Sequence, residues 1–201
     1  IALTDELGCD FALPVYPKAP EHKATEVLAS VNAVYDRMVE RYGAENIVVA
    51  GDSAGGGMTV SLLTDVRDSG RPQPRAGLLI SPWLDLTMAD PASAALADRD
   101  LMLTIIGARR AGGWYAGDMS PSDPRISPVT ADPSGLAPLH IWVGTHEIFL
   151  PDCRTFAGKA RANGHRVTIH EMPKGQHVAA LFPTPEGACA RAQMIALVDW
   201  P

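Results

Sequence analysis

At 201 residues the sequence is long enough for one domain with a sizeable core, and its 46% hydrophobic content is ordinary for a globular chain. A net charge of −6, from 17 basic and 23 acidic residues with no run of Lys or Arg, speaks against nucleic acid or an anionic membrane surface as a partner. No apolar run approaches the roughly 20 residues that a membrane span needs.

Cys9, Cys153 and Cys189 are odd in number and far apart. That argues against a disulfide framework or a zinc site with close ligand pairs, and suits a reducing, cytoplasmic setting. The chain opens in mid-pattern: "IALTDELGCD" (Ile1 to Asp10) reads as the tail of a helix. "DFALPVY" (Asp10 to Tyr16) is strand-like. A helix follows over "EHKATEVLASVNAVYDRMVERYG", where Val27, Val31, Val34, Met38 and Val39 recur at helical spacing and Gly43 suits the stop. "NIVVAG" reads as a buried strand, "SAGGGMTVSLLTDVRDSG" as a helix ending at Gly70, and "AGLLIS" as a strand closed by Pro82.

The stretch Asp90 to Pro138 differs. It is rich in Pro, Gly, Ala and Asp, with Trp114 and Tyr115 inside, and reads as short helices and loops forming a lid-like insertion. Strand character resumes in "LHIWVG" (Leu139 to Gly144). A helix over "DCRTFAGKARANG" stops at Gly164, "RVTIHE" is the last strand, and "PEGACARAQMIALVDW" is a final helix. Strands alternating with helices imply βαβ units and a mostly parallel sheet with helices on both faces. Right-handed crossovers then bring the loops after successive strands to one edge of the sheet. Ser53, Glu147 and His177 lie in three such loops.

Gly51-Asp52-Ser53-Ala54-Gly55 fits G-x-S-x-G between a strand and a helix, the pattern of a nucleophile elbow. The turn is sharp, and glycines two positions either side are expected to avoid a clash. Phosphate binding fits poorly. A P-loop requires a lysine that is missing here, and a G-x-G-x-x-G reading from Gly51 would place Ser53 where glycine is needed. The plainer alternative is a tight turn with a structural serine. The strand–turn–helix setting favours the nucleophile.

A serine nucleophile needs a general base and an acid that orients it. Of six histidines, His22 precedes a helix, His140 opens a strand, His165 lies in a turn, His170 lies within a strand and His146 adjoins a candidate acid. His177, in "KGQHVAALF", is the one that comes last and after a strand, as the order Ser…acid…His requires. Three acids compete. Glu147 stands just past the strand ending at Gly144 and is favoured. Asp152 comes second and is well explained as a carboxylate of a helix's first turn. Asp85 could instead bond backbone near the elbow.

These residues sit in motifs that resemble the hormone-sensitive-lipase-like family of α/β-hydrolase esterases. "GDSAGGG" (Gly51 to Gly57) resembles its elbow and "YPKAPEH" (Tyr16 to His22) its Y-R-L-A-P-E-H segment. "SPWLDLT" (Ser81 to Thr87) and "GTHEIFLPDC" (Gly144 to Cys153) resemble its later segments. The resemblance covers nearly the whole chain in the expected order. It implies an α/β-hydrolase fold and a serine esterase with no cofactor and no metal, acting on small acyl esters of short to medium chain length. Carried over by position, Ser53 is the nucleophile, Glu147 the acid, His177 the base, and the Ala54 N–H one oxyanion donor. Many members have aspartate within D-P-L, where this chain reads Glu147-Ile148-Phe149. Receptor-like members lack the histidine that is present here. A non-catalytic small-molecule binder is the alternative, with a hydrolase of lactones or amides a third reading. Trp83, Trp114 and Phe149 could line the acyl pocket, but each is better explained by core or lid packing. Homo-oligomerisation is left open.

The family's H-G-G-G loop, source of the other oxyanion donors, does not occur in this sequence. By analogy, the strand leading into it lies between those matching Asp10–Tyr16 and Asn46–Gly51. The expectation is a longer polypeptide whose N-terminal strands are absent here. A continuous sheet from Asp10 onward would refute it.

Overall fold

The computed structural model describes residues 9–198. Apart from Cys9 and Asp10, the helical tail expected over Ile1–Asp10 lies outside them. Four strands, β1 (Val48–Asp52), β2 (Ala76–Ile80), β3 (Leu139–Gly144) and β4 (Val167–Met172), pair in chain order, all parallel. Helix α1 (Ala24–Tyr42) precedes β1, α2 (Ala54–Asp68) joins β1 to β2, and α5 (Leu150–Ala162) joins β3 to β4. Between β2 and β3 lie the one-turn α3 (Pro91–Ala94), α4 (Ile105–Ala116) and a 3-10 turn at Pro128–Thr130. The last helix is α6 (Pro185–Val198).

The period-two alternation of the strands sorts their side chains onto two faces. Leu79, Ile141 and Val143 pack with Leu63 of α2 and with Phe156, Ala157 and Ala160 of α5. Leu78, Ile80 and Trp142 pack on the opposite face with Met194 and Val198 of α6. Every residue of β2 is buried, as a central parallel strand covered on both faces should be. Helix α1 lies against α2 through Tyr35, Leu62 and Val66.

One expected strand is absent among the described residues. Asp10–Tyr16 has the alternation of a strand but pairs with nothing in the sheet. Its apolar Phe11, Leu13 and Val15 are 66%, 76% and 96% exposed. Alternation describes which side chains could share a face, whereas a strand exists only where a neighbouring backbone accepts and donates its hydrogen bonds. Among the described residues no such neighbour reaches this segment, and β1 pairs with β2 alone.

All four strands point the same way, so their C-terminal ends share one edge. The loops that follow β1, β2, β3 and β4 gather there.

Candidate active site

Ser53 stands between β1 and α2 with φ 52° and ψ −120°, a backbone conformation that costs a non-glycine residue of order 1–3 kcal/mol. The turn is held from both sides. The Ser53 N–H donates to the Ile80 carbonyl and the Ser53 carbonyl accepts from the Trp83 N–H, each at 2.9 Å. The expected steric role of the two flanking glycines holds at only one of them. A Cβ on Gly51 would overlap the Gly55 carbonyl, whereas a Cβ on Gly55 would meet nothing within 4 Å. The tight positions are the next two. A Cβ on Gly56 would lie 2.7 Å from Pro82 Cβ, and one on Gly57 would run into the Trp83 carbonyl oxygen. The first turn of α2 is pressed against the segment after β2, a constraint from a part of the chain remote in sequence.

His177, in the loop after β4, is 5% exposed and Glu147, between β3 and α5, is 0% exposed. Nε2 of His177 lies 3.0 Å from Ser53 Oγ, and Nδ1 lies 2.8 Å from Glu147 Oε2. The other carboxylate oxygen, Oε1, accepts from the Gly144 N–H at 2.6 Å and from the Ser81 hydroxyl at 2.7 Å. The imidazole meets the Phe149 ring edge-on, with centroids 5.2 Å apart, and Phe149 stacks on Trp83 at 5.9 Å. Two of the three candidate pocket aromatics therefore pack behind the histidine. The third, Trp114, is 46% exposed, with the Arg110 guanidinium 5.2 Å above its ring. The acid and histidine loops are pinned together. His146 N–H donates to the Gly175 carbonyl at 3.0 Å, and Lys174 N–H donates to Thr145 Oγ1 at 2.7 Å.

Of the three candidate acids, the fold thus brings Glu147 alone to the imidazole. Asp85 spends its carboxylate within its own loop, accepting from the Thr87 N–H and hydroxyl and from the Ala89 N–H. Asp152, in the first turn of α5, is 3% exposed and its Oδ2 has no hydrogen-bond partner. Burial, reinforced by the charges of Asp85 and Asp90, pushes this carboxyl up from 3.8 to about 7. The folded state therefore holds a proton that the unfolded chain has released, so this group's contribution to stability falls as pH rises from about 4 to about 7. The linkage amounts to at most about 4 kcal/mol. Asp152→Asn, permanently neutral, is expected to raise Tm above the wild type at pH 8 and to give little gain at pH 4. Thermal melts across that range check this, and a wild-type advantage at pH 8 would contradict it.

The remaining histidines stand elsewhere. His22 bonds Glu26 at 2.7 Å on the surface. His140, Trp142 and His170 form a cluster of three mutually stacked rings, and both imidazoles are held below the usual range by burial first. Among the described residues no group of three or more His, Cys, Asp or Glu could hold a metal ion, and no helix is long and apolar enough to cross a membrane. Ser81 was not singled out from the sequence as a site residue. Its place directly after β2, on the edge that also carries the loops of Ser53, Glu147 and His177, is the signal that could have found it.

A family model described as alpha/beta hydrolase fold matches residues 1–181. The chain belongs to this hydrolase family. An acetyl-hydrolase of Streptomyces hygroscopicus is 34% identical over 179 residues, covering 88% of this chain and 60% of the relative. An esterase of Acinetobacter venetianus is 34% identical over 148 residues, covering 72% of this chain and 48% of its own. The chain thus spans 60% or less of these two curated relatives. Among solved structures, an esterase from the bacterial hormone-sensitive lipase family superposes with a TM-score of 0.91 at 30% identity, covering 98% of this chain and 67% of that one. A hormone-sensitive lipase from a metagenome library gives 0.87 at 31% identity, covering 91% and 64%. The hydrolase fold and the hormone-sensitive-lipase resemblance read from the motifs are both borne out. The four strands described are part of that fold.

Proposed function

We propose that this chain carries the catalytic residues of a serine carboxylic ester hydrolase. One observation carries the reading: a continuous relay from Ser53 Oγ to His177 Nε2 at 3.0 Å and from His177 Nδ1 to Glu147 Oε2 at 2.8 Å. These are the distances over which a base can take a hydroxyl proton while an acid holds its far nitrogen. Ser53 attacks the ester carbonyl as its proton passes to His177 Nε2. Glu147 keeps the imidazole in the tautomer with hydrogen on Nδ1 and stabilises the imidazolium. The Ala54 N–H, at the start of α2, is one donor to the oxyanion, where the helix leaves amide protons without intrahelical partners. His177 returns the proton to the leaving alcohol. Water then hydrolyses the acyl-enzyme by the same steps in reverse order. Similarity to proteins named acetyl-hydrolase and esterase supports acyl esters as substrates, and the reading extends to short and medium acyl chains.

The insertion over residues 90–138 is proposed as a cover for this site. Its segment Arg99–Leu103 is tied to the loops that carry the acid and the histidine. The Gln176 side chain, next to His177, accepts from the Leu101 N–H at 2.8 Å and donates to the Arg99 carbonyl at 2.9 Å. The Asp100 carboxylate accepts from the Ile148 N–H at 2.9 Å and from the Leu103 N–H at 2.8 Å. Leu101 and Ile106, 83% and 80% exposed, leave apolar surface beside those ties.

A fluorophosphonate probe tests the reading directly. The wild-type protein is expected to label covalently at Ser53 and to hydrolyse p-nitrophenyl acetate and butyrate, and Ser53→Ala is expected to do neither. Ester hydrolysis by Ser53→Ala at near wild-type rate would end the proposal. Absence of labelling in a folded wild type would favour a non-catalytic binder.

A further inference from the structure

Ser81 follows β2, is 1% exposed, and has φ 46°. Its N–H donates to the Trp142 carbonyl at 2.7 Å. Its Oγ accepts the N–H of Val178 at 2.9 Å and lies 2.7 Å from Glu147 Oε1. A hydroxyl has one proton to give. The Val178 amide can only donate, so that proton goes to Glu147. Val178 directly follows His177 and has φ 53°, a left-handed conformation that a β-branched residue rarely adopts. One hydroxyl therefore joins the carboxylate of the acid to the backbone that carries the base.

We propose that Ser81 is a positioning residue for the Ser53–His177–Glu147 relay. The inference rests on the catalytic reading above. With the Gly144 N–H and the Ser81 hydroxyl both on Oε1, the carboxylate cannot turn without abandoning a buried donor, so Oε2 stays aimed at Nδ1. The bond from Val178 holds the peptide after His177 in its left-handed turn, fixing the imidazole from the other side. The backbone conformation at 81 is one that glycine would adopt with less strain. Glycine has no hydroxyl, and the hydroxyl is what the geometry uses.

That contrast supplies the experiment. Ser81→Gly and Ser81→Ala are made in the full-length protein, each alone and combined with Glu147→Ala, and kcat, KM and Tm are measured on p-nitrophenyl butyrate. If Ser81 merely shapes the backbone, Ser81→Gly leaves kcat unchanged. If it positions the acid, both variants lower kcat about 10- to 100-fold with KM within about twofold, the cost of a misaimed catalytic group. The loss should shrink to less than about threefold beside Glu147→Ala, where no carboxylate remains to be aimed. A kcat for Ser81→Gly within about threefold of wild type overturns the proposal. So does a loss that reappears undiminished beside Glu147→Ala, because it then reflects general damage, whatever the Tm. Ser53→Ala, measured in parallel, separates the two levels: if it keeps activity, the relay reading fails, and if it is inactive while Ser81→Gly is normal, only the role of Ser81 fails.

Discussion

Replacing His177 with alanine is expected to lower kcat for ester hydrolysis by about 10⁵- to 10⁶-fold, with KM within about threefold of wild type. A serine hydroxyl at neutral pH is a poor nucleophile unless a base removes its proton as it attacks. Nε2 of His177 is the nitrogen in reach, 3.0 Å from Ser53 Oγ, and among the described histidines no other bonds that oxygen. The ring is buried, but without it the Glu147 carboxylate would keep the Gly144 N–H and the Ser81 hydroxyl as donors. The ring packs edge-on against Phe149 and is held by Glu147, so its loss should leave the fold standing and remove a step made only in the transition state. Steady-state kinetics and the rate of fluorophosphonate labelling check this together, since both need the activated hydroxyl. A variant that keeps more than about a tenth of the wild-type kcat would remove His177 from the role of base.

Glu147→Ala is expected to cost about 10⁴-fold in kcat, whereas Asp152→Ala should cost less than about tenfold. The difference follows from where each carboxylate points. Glu147 Oε2 accepts from Nδ1 of the histidine, which fixes the tautomer and offsets the positive charge that develops on the ring. Asp152 has an oxygen with no hydrogen-bond partner and two acidic neighbours in Asp85 and Asp90. Glu147→Ala should also lower Tm. It strands the Gly144 N–H, the Ser81 hydroxyl and the imidazole N–H in a buried site, and each buried unsatisfied group costs about 1–3 kcal/mol. Parallel kinetics and melts on the two variants decide the matter. The reverse order of kcat losses would move the acid role to Asp152.

The preference for glutamate over Asp152 was open from spacing alone, because both follow β3 within one loop and a first turn. The direction of α5 separates them. Asp152 is carried into the core beside Cys153 and Phe156, while Glu147 precedes the helix and folds back on the Gly144 N–H. The elbow glycines divide for a similar reason: Gly51 is tight and Gly55 is not. Sequence symmetry about Ser53 points to Gly55, but the segment that crowds the first turn of α2 is Pro82–Trp83, so within that turn the tight positions are Gly56 and Gly57. Ser81 was invisible as a site residue because its two partners, Glu147 and Val178, are 66 and 97 residues away.

The sequence by itself determined the order of the four paired strands and the helices between them, the parallel sense of the sheet, the turn at Ser53 and the placing of His177 in the loop after the last strand. Each is a local pattern: periodicity, a turn motif, or the side of a strand on which a loop must fall. Only the tertiary structure decided that Asp10–Tyr16 pairs with no strand among the described residues, that Glu147 rather than Asp152 meets the imidazole, and that Ser81 bonds both the acid and the peptide after the histidine. Those outcomes depend on hydrogen-bond partners supplied by remote segments. A pattern along the chain names which residues are able to pair, and the packing of the sheet edge selects which of them do.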